Sequence, residues 1–87
     1  MAEKKLEKGS PEWQFFMDFW KFRQKYHDSD NEPEDWYTEL MNAGESIIKK
    51  YENTYFADFA KDIVFSHFGD IERRERQKHE TRGQHGT

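Results

Sequence analysis

Five carboxylates crowd the short stretch between residues 28 and 35, and they resemble the alternating oxygen ligands of a calcium-binding loop: Asp28, Asp30, Glu32, Glu34 and Asp35. An EF-hand loop needs a glycine at its sharp turn. Pro33 stands where that glycine is required. The favoured interpretation is therefore a solvated linker whose last carboxylates lie at the start of a helix.

Histidines and carboxylates elsewhere could move protons or help to bind a metal. His67 falls within an apolar stripe, and Glu75 and His79 stand four residues apart. A zinc site needs about four ligands, and the ferritin-like pattern needs a glutamate three residues before a histidine on two helices, which is not present. We expect His67 to be a core or rim histidine hydrogen-bonded to a neighbour, and Glu75 and His79 to lie on a solvated helix.

Covalent catalysis finds no support in the residue types present. The chain has no cysteine, its serines lie outside any glycine-rich elbow, and its five glycines form no phosphate-binding loop. Its 87 residues leave room for one small domain. The sequence therefore predicts a protein that is not an enzyme and that uses no metal and no cofactor.

Basic side chains gather near the C-terminus and could contact the phosphates of a nucleic acid: Arg73, Arg74, Arg76 and Lys78. Glu72, Glu75 and Glu80 lie among or next to these basic residues and cancel much of their positive electrostatic field. Residues 11–71 carry thirteen acids against six bases and would be repelled by a duplex. Nucleic-acid binding through the four basic residues is thus a secondary hypothesis.

Three stripes of apolar residues at helical spacing predict three helices, over residues 11–27, 33–52 and 54–78. Ser10 and Pro11 form a start signature for the first helix, and Pro33 opens the second. The third helix either ends at Gly69 or passes through it, and the opposite charges beyond that glycine favour continuation.

These helices predict an all-α fold, a compact antiparallel three-helix bundle over residues 10–78. Residues 1–9 are expected to form a flexible arm and residues 79–87 a disordered tail, because neither end has enough apolar residues to anchor it. Gly44 lies within the second stripe, where it either permits a close helix approach or is merely tolerated.

No run approaches the roughly 18 apolar residues of a membrane span, and the charged N-terminus lacks a secretory stretch, so a cytoplasmic protein is expected.

Aromatic residues number fifteen, more than a plain three-helix core needs. The apolar arc of the first helix covers roughly 220°, which is wide for a helix that touches one neighbour. We expect the surplus rings to form a protein-binding surface, through self-association or with a foreign partner: Phe15, Phe19, Phe22, Tyr26 and Phe65. The alternative is that a small core uses large side chains simply to gather enough buried area.

Residues 9–21 read GSPEWQFFMDFWK, and Gln24, Lys25 and Tyr26 follow. This segment resembles the opening of small uncharacterised helical proteins carried by prophages and integrative mobile elements of Gram-positive bacteria. The resemblance implies an accessory gene of a mobile element. Small acidic proteins of such elements often bind and block a host or defence protein, including CRISPR effectors. An acidic inhibitor that imitates nucleic acid is therefore an alternative function.

Overall fold

The computed structural model describes residues 7–85, with side chains described through residue 78. Within that range the chain forms three helices and no strand: α1 (Pro11–Lys25), α2 (Asp35–Lys50) and α3 (Ala57–His85). Each helix packs against both others. The predicted all-α three-helix bundle is confirmed.

Helix α1 begins where the cap signature predicts. The Ser10 side chain accepts a hydrogen bond from the Trp13 amide at 3.3 Å, and Pro11 occupies the first turn. The helix ends at Lys25, two residues earlier than expected, because Tyr26 leaves the helical conformation (φ −114°). Its ring is then placed in the core.

The segment 26–34, which we call the connector, joins α1 to α2. The Asp30 amide donates to the Asp28 side chain at 3.0 Å, and Asn31 adopts a left-handed conformation with φ of 63°. The Trp36 amide donates to the Pro33 carbonyl in a turn, so α2 starts at Asp35 rather than at residue 33. It ends at Lys50, with Lys49 and Lys50 at its negative pole.

Helix α3 is longer than predicted at its C-terminal end. It begins at Ala57, after a turn in which the Thr54 hydroxyl donates to the Tyr51 carbonyl, and it continues through Gly69, as the charge pattern indicated. The helix reaches His85, seven residues beyond its predicted end at residue 78. Ion pairs one turn apart, Arg74 with Asp70 and Arg76 with Glu72, favour this continuation. Residues 1–6 of the expected arm and 86–87 of the expected tail lie outside the described range.

Helices α2 and α3 pack closely at Gly44. A Cβ atom built on this glycine would lie 2.2 Å from Cζ of Phe68 and 3.0 Å from Cγ1 of Val64. No side chain fits there without moving a neighbour. The structure thus supports the close-approach interpretation of Gly44 over that of a tolerated residue.

The expected exposure of the α1 rings is wrong at three positions. Phe15, Phe22 and Tyr26 are 0, 5 and 6% exposed, and Phe19 is half-buried. All are covered because α1 lies against both other helices. Tyr51 and Phe56 contact the Phe15 ring, Phe68 and His67 contact Phe22, and Trp36 contacts Tyr26. Of the five predicted contact residues, Phe65 is exposed, at 47%.

Candidate protein-binding surfaces

A cluster of exposed rings lies where α1 meets α3. Phe16, Trp20 and Phe59 are 41, 56 and 51% exposed. The Phe16 and Phe59 ring centroids are 6.1 Å apart in an edge-on arrangement, and Trp20 lies one helical turn after Phe16 on the same face of α1. We call these three residues the ring surface.

Acidic side chains accompany the ring surface on both helices. Glu12 lies one turn before Phe16 on α1, and the exposed Asp62 follows Phe59 by three residues on α3. Arg23, the basic residue one turn beyond Trp20, is held by His67 and Asp70. The charge next to the rings is therefore predominantly negative.

A second apolar surface is a groove of about 600 Å³ between α2 and α3. Tyr37, Leu40 and Met41 line it from α2, and Phe68 and Ile71 line it from α3. We call it the α2–α3 groove. The predicted contact residue Phe65 adjoins it, since its ring lies 6.0 Å from that of Phe68.

His67 of α3 is buried against α1 and the first residue of the connector, as expected for a core histidine. Its Nε2 lies 2.9 Å from the Tyr26 carbonyl oxygen and its Nδ1 lies 2.8 Å from Nη1 of Arg23. A carbonyl accepts and a guanidinium donates, so the ring must be neutral with its proton on Nε2. Burial lowers the pKa of His67, the hydrogen bond to Tyr26 opposes this change, and the charge of Arg23 adds to it.

Stability should consequently depend on pH through His67. The pKa of His67 is lower in the folded chain than in the unfolded chain. As pH falls below about 6.5, the unfolded chain therefore binds a proton at His67 before the folded chain does. The free energy of unfolding then falls by at most about 1.4 kcal/mol per pH unit. Urea unfolding between neutral and mildly acidic pH measures this slope. His67→Gln keeps a donor for the Tyr26 carbonyl but does not titrate, so its slope should be flatter. An equal slope in the variant would show that His67 is not the source.

Asp18 joins α1 to the end of α2. It accepts hydrogen bonds from Tyr51 Oη and Lys50 Nζ, each at 2.7 Å. Burial alone would raise the pKa of the Asp18 carboxyl, but these hydrogen bonds and the lysine charge outweigh burial and lower it. Burial and the carboxylate together raise the pKa of Tyr51. The cluster holds the C-terminal end of α2 against the middle of α1.

The C-terminal half of α3 is held against the connector by the side chains of Arg74, Glu75 and Lys78. Arg74 donates to the His27 carbonyl at 2.5 Å, Lys78 binds Asp28 at 3.1 Å and also Asp30, and Ser29 donates to Glu75 at 2.5 Å. We call these contacts the connector clamp. The solvated position expected for Glu75 is wrong, since it is half-buried in the clamp.

The clamp also bears on the four residues proposed for nucleic acid. Arg74 and Lys78 are engaged by the connector, whereas Arg73 and Arg76 are exposed and Arg76 pairs with Glu72 at 2.9 Å. The structure therefore does not bring the four together as one open basic surface.

Among the side chains described, no group of three or more histidines and carboxylates could hold a metal ion, and that of His79 lies outside them. No helix of the described chain has the length and apolar character needed to cross a bilayer.

The sequence reasoning identified the exposed Phe65 but missed the ring surface. Phe16 and Phe59 were assigned no separate role, although Phe16 and Trp20 share a face rotated by one residue from that of Phe15 and Phe19. That one-residue offset is the signal that separates the two faces. No family model, curated protein or solved structure matches the chain.

Proposed function

We propose that this chain is a non-enzymatic, cytoplasmic accessory protein of a mobile element that acts by binding another protein through the ring surface. The observation that carries the proposal is the convergence of Phe16, Trp20 and Phe59 from two helices at 41–56% exposure. Large rigid rings dominate binding hot spots because they bury much area for little lost entropy. Exposed apolar rings do not add to the stability of the isolated bundle, so their exposure favours a role in binding.

The partner that best fits the ring surface is a foreign protein with an apolar patch and basic neighbours. A symmetric dimer through this surface would place the same patch on both sides, so that Glu12 and Asp62 would face like charges. A basic partner instead gains from these acids, both in steering and in specificity. We therefore propose a foreign partner rather than self-association.

Ring truncation should weaken partner binding without unfolding the chain. A photo-crosslinking phenylalanine analogue at Phe59, introduced in the native host, identifies the partner, and titration with the purified partner measures affinity. Trp20→Ala and Phe59→Ala are each expected to weaken binding by about 30-fold, or about 2 kcal/mol. Phe65→Ala is the matched control, because Phe65 has similar exposure on another face of α3 and should leave affinity unchanged.

Two results would contradict this proposal. One is equal loss of affinity in Phe59→Ala and Phe65→Ala, which would move the contact away from the ring surface. The other is a concentration-dependent dimer in sedimentation that Trp20→Ala abolishes, which would make the ring surface a contact between two copies of this chain.

A second candidate function is an acidic inhibitor of a host or phage-defence effector such as a CRISPR nuclease. The observation in its favour is charge segregation, since residues 11–71 hold thirteen acids and six bases. Binding of this kind weakens with salt and is displaced by nucleic acid, whereas binding led by the rings is much less sensitive to both. Competition with a duplex oligonucleotide in the same titration separates the two functions.

A further inference from the structure

We infer that the α2–α3 groove is a docking site for a basic amphipathic helix of a partner protein, separate from the ring surface. Its floor is formed by Leu40, Phe68 and Ile71. Tyr37 and Met41 form the α2 wall, and they are 38 and 46% exposed. A groove of about 600 Å³ with this lining offers apolar side chains a site to bury that the bundle itself leaves open.

The shape of the groove fits a helix better than an extended strand. Two antiparallel helices form its walls, and the backbone groups of both are already paired within α2 and α3, so no edge is available for a strand. The α3 wall runs from Phe68 to Arg76, which is about 12 Å of helix and matches about two turns of a bound helix. The flexible Met41 side chain can adapt to such an occupant.

The acidic side chains beside the groove favour a basic partner helix. Glu34 lies one turn before Tyr37 and Glu45 one turn after Met41, so both acids flank the α2 wall and are exposed. On α3, Glu72 lines the groove one turn after Phe68.

Arg76 lies on the α3 wall but is paired with Glu72 at 2.9 Å, so the charges of these two groups offset each other. Lys61 lies beyond the groove lining, over the Phe65 ring. The net negative charge beside the groove therefore comes from Glu34 and Glu45. An apolar stripe flanked by lysine or arginine complements this arrangement.

A second copy of the chain is a poorer occupant. If two α2–α3 grooves met about a symmetry axis, Glu34, Glu45 and Glu72 of one copy would approach the same acids of the other. The ring surface is likewise accompanied by acids, so pairing of one surface with the other brings acids together as well. Charge complementarity therefore selects a foreign helix.

The test uses the full chain and a labelled peptide of about 15 residues, with leucines along one helical face and lysines and alanines on the other. Fluorescence anisotropy at low salt measures its affinity. We expect this peptide to bind at least about tenfold more tightly than one with glutamates in place of the lysines, and than one in which the same leucines are scattered around the helix. Absence of binding by the lysine peptide, or equal binding by either comparison peptide, would overturn the inference.

Two methionines provide matched variants for locating the peptide. Met41→Lys places a cation in the α2 wall and should weaken binding by about tenfold, whereas Met17→Lys alters an exposed methionine on α1, away from the groove, and should have no effect. Trp20→Ala should also leave peptide affinity unchanged, which separates this site from the proposed function of the ring surface. Equal weakening by Met17→Lys and Met41→Lys, or loss of peptide binding in Trp20→Ala, would overturn the assignment to the groove.

Discussion

Phe15→Ala is expected to destabilise the chain by about 3–5 kcal/mol, because it removes a fully buried ring and leaves a cavity. The Phe15 ring contacts Tyr51 at 5.4 Å between centroids and Phe56 at 6.0 Å, so it joins α1 to the turn between α2 and α3. Small domains have a total stability of about 5–15 kcal/mol. A loss of this size is a large fraction of that total, and urea unfolding followed by tryptophan fluorescence, to which the buried Trp36 contributes, measures it.

The neighbouring residue supplies the control for this experiment. Phe16→Ala removes the same atoms one position along α1, from a ring that is 41% exposed, and is expected to lose less than about 1 kcal/mol. The two variants thus distinguish the core face of α1 from the ring surface by stability alone. Similar losses in both would contradict the burial described for this helix.

Gly44→Leu has the second largest expected effect, a loss of about 1–3 kcal/mol from overpacking. Its first side-chain atom would already lie 2.2 Å from Phe68 Cζ and 3.0 Å from Val64 Cγ1. The Phe68 ring is half-buried and lines the α2–α3 groove, so the ring must move and the groove must change shape. Urea unfolding measures the stability change.

Gly69→Ala is the comparison substitution on α3. Apart from the local backbone of α3 itself, no atom lies within 4 Å of the Cβ position at Gly69, so alanine enters α3 without a clash. It should stabilise the chain by about 0.5–1 kcal/mol, because glycine is the more costly residue inside a helix. A stabilised Gly44→Leu variant would show that α2 and α3 are not in close contact at Gly44.

The fold was predictable from local signals, whereas the ends of the helices were less so. Ser10 and Pro11 mark the start of α1 correctly, and the charge pairs beyond Gly69 indicate correctly that α3 continues. The predicted start of α3, at residue 54, is three residues early. Thr54 is a typical helix-cap residue, but here its hydroxyl and amide form a turn with Tyr51. Such turns and caps use the same residue types.

The candidate site was harder to predict, because exposure depends on what covers a ring. Phe15, Phe19, Phe22 and Tyr26 follow each other at four- and three-residue spacing, which is the spacing of a buried helix seam. The width of the apolar arc suggested exposed rings but did not show which side the other helices would cover. The buried side of α1 is determined by the rings that pack against it, and these come from distant parts of the chain: Tyr51, Phe56 and His67.

The connector clamp lay beyond sequence reasoning for a related cause. Its contacts join residues 46–50 positions apart, and nothing local distinguishes Arg74 and Lys78 from the exposed Arg73 and Arg76. Charge patterning within one helix favours pairs one turn apart and does not identify partners across the bundle. Only the path of the connector over α3 brings these groups together.

Helix α3 contacts each of the other parts of the bundle: its first half packs against α2 at Gly44, its centre binds α1 through His67 and Arg23, and its second half holds the connector. Detaching α1 and the Tyr26 that follows it would leave both ring nitrogens of His67 without their hydrogen-bond partners. Detaching α2 would uncover Phe68 and Val64. Partial disassembly is thus penalised at each step. The bundle is consequently built to open as a single cooperative unit rather than helix by helix.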